Sequence, residues 1–127
     1  MKFLHSMIRV KNIESSLKFY TELLNMKLTE KRRLDDCWLY FLEDESNTCQ
    51  IEITFNDETP KDGYNTGNGF GHFAFEVESM SDFTIKLNKL GYEYLYEPFD
   101  LTGKGSLIAF IKDPDGYEIE LIERVKW

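Results

Sequence analysis

Hydrophobic and polar positions run through the same order twice. In residues 3–10, F-L-H-S-M-I-R-V, alternation puts Phe3, His5, Met7 and Arg9 on one face of a strand and Leu4, Ser6, Ile8 and Val10 on the other. Asn12 offers a capping side chain, and Ile13, Leu17, Tyr20 and Leu24 then recur at helical spacing, with Asn25 as a stop. Strands are predicted next over 26–34, 38–43 and 48–55, separated by polar turns. The segment N-D-E-T-P-K-D-G-Y-N-T-G-N-G predicts a linker or loop. After it the pattern restarts. A strand is expected over 71–77, and Ser79 or Ser81 caps a helix with the stripe Met80, Phe83, Leu87, Leu90 and Gly91 as terminator. Three more strands are expected, over 92–96, 107–111 and 118–123. The last follows the turn Asp113-Pro114-Asp115-Gly116, in which proline presets φ and glycine supplies a conformation that side chains resist.

Each half therefore reads β-α-β-β-β. His5 and His72 stand 67 residues apart, as do Val10 and Val77, and Glu52 and Glu120 stand 68 apart. A duplicated unit accounts for this offset. The expectation is an α+β chain of two tandem βαβββ modules, 1–56 and 70–127, joined by a linker at 57–69 within one domain of 127 residues.

Composition narrows the function. A net charge of −8 argues against binding nucleic acid or an anionic membrane surface. No apolar run approaches membrane-spanning length, and Met1 to His5 lacks the apolar core of a secretory signal, so a cytoplasmic location is expected. Cys37 and Cys49 are expected to be free thiols.

Four residues then look like ligands. In each half a histidine near the start of the first strand is matched by a glutamate on the last. On the strand ending the first half, Ile51, Ile53 and Phe55 should pack on the helix, leaving Gln50, Glu52, Thr54 and Asn56 as a wholly polar face. In the second half Phe73, Phe75 and Val77 face the helix, and His72 faces away with Ala74. His5, Glu52, His72 and Glu120 thus all fall on faces turned from the helices, and they include both histidines of the chain. Two imidazoles and two carboxylates suit a divalent ion such as nickel, zinc, cobalt, iron or manganese.

With these residues placed, the sequence resembles the glyoxalase I (lactoylglutathione lyase) family of the vicinal-oxygen-chelate superfamily, nearly end to end. The segments that carry the likeness are L-H-S-M-I-R-V-K-N-I-E-S-S-L-K-F-Y, Q-I-E-I-T-F-N, G-H-F-A-F-E-V and I-A-F-I-K-D-P-D-G-Y-E-I-E-L-I-E. The resemblance implies a curved open mixed sheet around a metal site held by His5, Glu52, His72 and Glu120. Nickel is first among the ions it implies, with zinc and cobalt as alternatives. It implies a homodimer with sites at the subunit interface. It also implies a substrate, the hemithioacetal of methylglyoxal and glutathione, isomerised to S-lactoylglutathione for methylglyoxal detoxification. Glu120 is implied as the catalytic base and Glu52 as its counterpart.

The family's contacts to the γ-glutamyl end of glutathione map onto Arg9 and Asn56, each four residues along the strand from a ligand. The family also places a lysine and a glycine before the I-A-F strand. Thr102 and Gly103 stand at those positions here, and Lys104 in the run G-K-G is the anion-binding candidate. The basic triplet Lys31-Arg32-Arg33, with Arg9 and Lys104, is expected to supply local positive field for an anionic thiol. Other readings on the same fold are a methylmalonyl-CoA epimerase-like enzyme and a drug-binding or resistance protein. Glutamate at position 52 weighs against the first, and a metal-free binder has no use for four ligand positions.

Overall fold

The computed structural model describes residues 1–124; the last three residues of the second expected module lie outside the described residues. The chain divides into two compact units, the first from Met1 to Asn65 and the second from Thr66 on.

The first unit contains β1 (His5–Arg9), α1 (Ile13–Lys18), β2 (Lys27–Arg33), β3 (Cys37–Glu43) and β4 (Gln50–Asn56). Its sheet has the order β1-β4-β3-β2, with β1 parallel to β4 and the other pairs antiparallel. Asn12 caps α1, its Oδ1 accepting from the Ser15 amide at 3.1 Å. The helix does not stay regular to Leu24. It widens into a π turn over Phe19–Leu23, in which the Leu24 amide reaches back to the Phe19 carbonyl. The wider turn leaves Phe19, Tyr20 and Leu23 all buried, which a strict four-residue stripe does not do for two neighbouring aromatics. Asn25 ends the helix in the left-handed region at φ +56°, as its short polar side chain allows. Ile8, Val10, Ile51, Ile53, Tyr40 and Leu42 build the core from the other side. The edge strand β2 is exposed throughout and carries three lysines or arginines in a row, a composition that blunts edge pairing.

The second unit contains β5 (His72–Glu76), α2 (Met80–Lys89), β6 (Tyr96–Asp100), β7 (Leu107–Lys112) and β8 (Glu118–Glu123). The sheet order is β5-β8-β7-β6, with β5 parallel to β8, so the topology of the first unit is repeated. Ser79 caps α2 through the Asp82 amide, and Gly91 ends it at φ +84°. Met80, Phe83 and Leu87 of α2 are buried, as are Ala109, Ile111, Ile119 and Leu121 of the sheet. The strand expected over 92–96 begins only at Tyr96. Before it, Tyr92 hydrogen-bonds back to Leu87, and the Tyr94 hydroxyl lies 2.8 Å from that of Thr84. Pro98 sits inside β6, which pairs with β7 through a register shift between Tyr96 and Phe99. An edge strand with a bulge is where a sheet tolerates proline.

The turns before the last strand of each unit are built alike. Asp44 Oδ1 accepts from the amides of Thr48 and Cys49, and Asp113 Oδ1 accepts from those of Asp115 and Tyr117, all at 2.8–2.9 Å. Three residues on, Asn47 (φ +58°) and Gly116 (φ +92°) adopt the left-handed backbone the turn requires. Asp44 and Asn47 each stand 69 residues before their counterparts. The first turn is one residue longer, and that is why the offset drops to 68 at Glu52 and Glu120.

Candidate functional site

The site residues fall as two half-sites, one per unit. In the first, His5 opens β1 and Glu52 sits on β4, with Met7 as the direct cross-strand partner of Glu52. His5 Nε2 lies 3.7 Å from a Glu52 carboxylate oxygen, with side-chain exposures of 32% and 15%. In the second, His72 opens β5, Ala74 is the partner of Glu120, and His72 Nε2 lies 3.3 Å from the Glu120 carboxylate. Each histidine therefore meets a glutamate two positions further along a parallel neighbour. The parallel pairing and the alternation of strand side chains put both on the face turned from the helix.

The donor chemistry fits a divalent cation. Two donors about 2.1 Å from one ion, at right angles to each other, lie about 3 Å apart, close to both His–Glu separations. Among the described residues no three histidine, cysteine, aspartate or glutamate side chains come together within one group. The four expected ligands occur as two pairs, not as a single quartet within either unit.

Around the first pair, Arg9 ends β1 on the same face as His5 and is exposed. Asn56 ends β4, and its Oδ1 accepts from the Tyr64 hydroxyl at 3.1 Å, a bond from the loop after the strand that leaves the amide nitrogen to donate elsewhere. In the second unit Lys104 is exposed within the run 101–105. The amides of Thr102, Gly103 and Gly105 turn to Asp100, whose carboxylate they hold below its ordinary pKa, Gly105 most strongly. The backbone of the glycine-rich run is thus committed to an internal anion, and Lys104 has only its ammonium to offer an external one. The basic triplet is similarly engaged. Arg32 is ion-paired with Glu30 and Arg33 with Asp57, each at 2.6 Å, and the Lys31 ammonium lies 4.4 Å above the Trp38 ring. Cys37 and Cys49 are free, and burial pushes the Cys37 thiol up, with Asp36 adding to it.

Sequence reasoning missed two residues on the site faces, Phe41 and Phe110. Phe41 is the cross-strand partner of Glu52 and Phe110 of Glu120, and each packs edge-on to its module's histidine. They read as ordinary apolar alternation. Their 69-residue separation and shared face with the glutamates were the available signal.

Residues 2–121 match the model of the Glyoxalase/Bleomycin resistance protein/Dioxygenase superfamily. The chain belongs to that superfamily. It is 40% identical over 127 residues to a probable lactoylglutathione lyase of Synechocystis, with 97% of this chain and 95% of the relative aligned. It is 38% identical over 128 residues to lactoylglutathione lyase GLX1 of Arabidopsis thaliana, where 97% of this chain aligns with only 44% of the relative. A point mutant of glyoxalase I from Zea mays superposes with a TM-score of 0.86 at 35% identity, covering 97% of this chain and 44% of that one. The chain thus spans less than half the length of these plant relatives and nearly all of the cyanobacterial one. Two four-stranded mixed sheets, each with its parallel β1-β4 or β5-β8 pair, are the architecture of this superfamily in the present chain.

Proposed function

We propose that this protein is a metal-dependent lactoylglutathione lyase that converts the hemithioacetal of methylglyoxal and glutathione to S-lactoylglutathione. The observation that carries the reading is the pair of matched half-sites, His5 with Glu52 and His72 with Glu120, in a chain aligned almost end to end with a probable lactoylglutathione lyase. The two pairs join as one set of four donors in a homodimer, and nickel is the preferred ion, with zinc or cobalt as substitutes. A bound divalent cation supplies positive charge for the substrate oxygens as a carbon acid ionises.

The protein's own groups do the rest. Glu120 takes the proton from C1 of the hemithioacetal and returns it to C2, while the hydroxyl proton passes from one oxygen to the other, so the sum is an isomerisation. Glu52 holds the corresponding place for the opposite substrate hand. Arg9 and the Asn56 amide bind the γ-glutamyl end; at ~3.3 Å per residue each lies about 13 Å along its strand from a ligand, a reach that suits an extended tripeptide. Lys104 offers its ammonium to the glycine carboxylate. The cytoplasm, where glutathione is abundant and reduced, is the proposed compartment.

The test is turnover of methylglyoxal with glutathione by chelated protein, then by protein restored with nickel or with zinc. Activity that returns with metal supports the reading. Protein that takes up a stoichiometric divalent ion and still turns nothing over rejects it.

A further inference from the structure

In both units the imidazole meets a phenylalanine ring in nearly the same way. The His5 and Phe41 rings stand 5.6 Å apart at 81°, and the His72 and Phe110 rings 5.5 Å apart at 82°. In each case the two side chains come from strands on either side of the one that carries the glutamate, β1 and β3 around β4, and β5 and β7 around β8. Two strand spacings, about 9–10 Å, separate the parent backbones. Ring centroids less than 6 Å apart therefore mean that both side chains lean over the middle strand toward each other. The phenylalanine does so from the position directly opposite the glutamate.

A perpendicular pair is a favoured arrangement of two aromatic quadrupoles. It discriminates among the staggered wells open to a histidine at the exposed start of a strand. A ligating histidine is usually fixed by a hydrogen bond through its second ring nitrogen. Here the orienting contact given by the structure is aromatic, and it is duplicated with the fold.

We propose that Phe41 and Phe110 are positioning residues, each holding its module's imidazole over the middle strand with Nε2 at the paired carboxylate before a cation arrives. The inference rests on the ligand reading above and adds the element that preorganises it. Preorganisation of this kind appears as metal affinity, because rotamers that a ligand must give up on binding weaken it.

The experiment measures nickel affinity of the full chain by chelator competition for wild type, Phe41→Leu, Phe110→Leu, Phe41→Tyr and Phe110→Tyr. Metal-free melting curves and the visible spectrum of the cobalt forms are recorded alongside. Each leucine variant is expected to bind nickel at least ~10-fold more weakly and to shift the cobalt spectrum, the scale seen for groups that orient a histidine ligand. The tyrosine variants keep the ring and bind as wild type does. Where a leucine variant loses its melting transition, methionine replaces leucine and the same comparison is made. Leucine variants with wild-type affinity, or tyrosine variants that fall with them, overturn the inference alone. A wild-type chain that takes up no nickel, zinc or cobalt overturns the ligand reading beneath it, and gives itself away as a flat baseline in all five proteins.

Discussion

The two units share a scaffold and differ at the far ends of their site faces. In both, a histidine opens the first strand, a glutamate sits diagonally across on the last, a phenylalanine stands opposite the glutamate, and an aspartate closes the turn before it. Four residues beyond the histidine and the glutamate the units part. The first has Arg9 and Asn56 there; the second has Glu76 and Arg124, which form an ion pair with each other. The phenylalanines also have different company. The Arg32 guanidinium lies 6.0 Å from the Phe41 ring, whereas Tyr96 packs edge-on to Phe110 at 5.8 Å. The part of the site suited to a cation is thus duplicated. The contacts proposed for the γ-glutamyl end fall on the first unit, while the matching positions of the second form an ion pair with each other.

The duplicated glutamates are not expected to be equivalent. Glu120→Gln is expected to lower kcat by roughly 10²–10⁴-fold, the range for losing a general base, while still taking up metal. Glu52→Gln is expected to cost less on the same hemithioacetal. Equal losses in the two variants would show that the units share the proton chemistry evenly, and full activity in Glu120→Gln would remove it from the base role.

The far ends of the strands come next. Arg9→Ala is expected to lower kcat/KM by roughly 10–100-fold, chiefly through KM, as loss of a charge-assisted hydrogen bond does. Glu76→Gln, at the equivalent place in the second unit, is expected to leave both kinetic constants and the melting temperature unmoved, because exposed ion pairs contribute little. Steady-state kinetics on both variants decide the matter. A KM effect at Glu76 as large as at Arg9 would mean that the far end of β5 also meets the substrate.

Much of this was legible in the sequence, and what was not has physical causes. Alternation exposed the strands because each sheet is covered on one face by a helix, and the polar run at Gln50, Glu52, Thr54 and Asn56 marked the other face. The glutamates stood out because a carboxylate on a mid-strand position needs partners, and the histidines because the two of them fall at matched places in the two halves. Phe41 and Phe110 did not stand out, since an apolar residue in a strand says nothing of the ring it will meet across two strands. The π turn was hidden because Phe19 and Tyr20 are adjacent in sequence, and only packing decides that both are buried. Tyr96 to Asp100 was missed because Pro98 argues against a strand, and only the sheet order reveals an edge where proline is allowed. The G-K-G run looked like an open anion cradle. That Asp100 fills it depends on a turn geometry that composition does not specify.

The paired turns offer the smallest and most discriminating effects. Asp113 is buried, so Asp113→Ala leaves two backbone amides without their acceptor and is expected to cost roughly 1–3 kcal/mol. The same change should loosen the start of β8 and lower metal affinity through Glu120. Asp44 is more exposed. Burial works to raise its pKa, but hydrogen bonds from Ser46, Cys49 and Thr48 outweigh it and bring the group down to about 2. A folded-state pKa below the unfolded value means stability that is fully present above about pH 4 and is lost as pH falls toward 2. Asp44→Asn is therefore expected to cost roughly 1 kcal/mol or less at neutral pH and to flatten the acid limb of the stability curve. Urea unfolding at pH 7, 4 and 3 measures both effects. An Asp44→Asn chain whose stability falls with acid as steeply as wild type would place the acid sensitivity elsewhere, and the two turns would then be alike in hydrogen bonding but not in what they contribute.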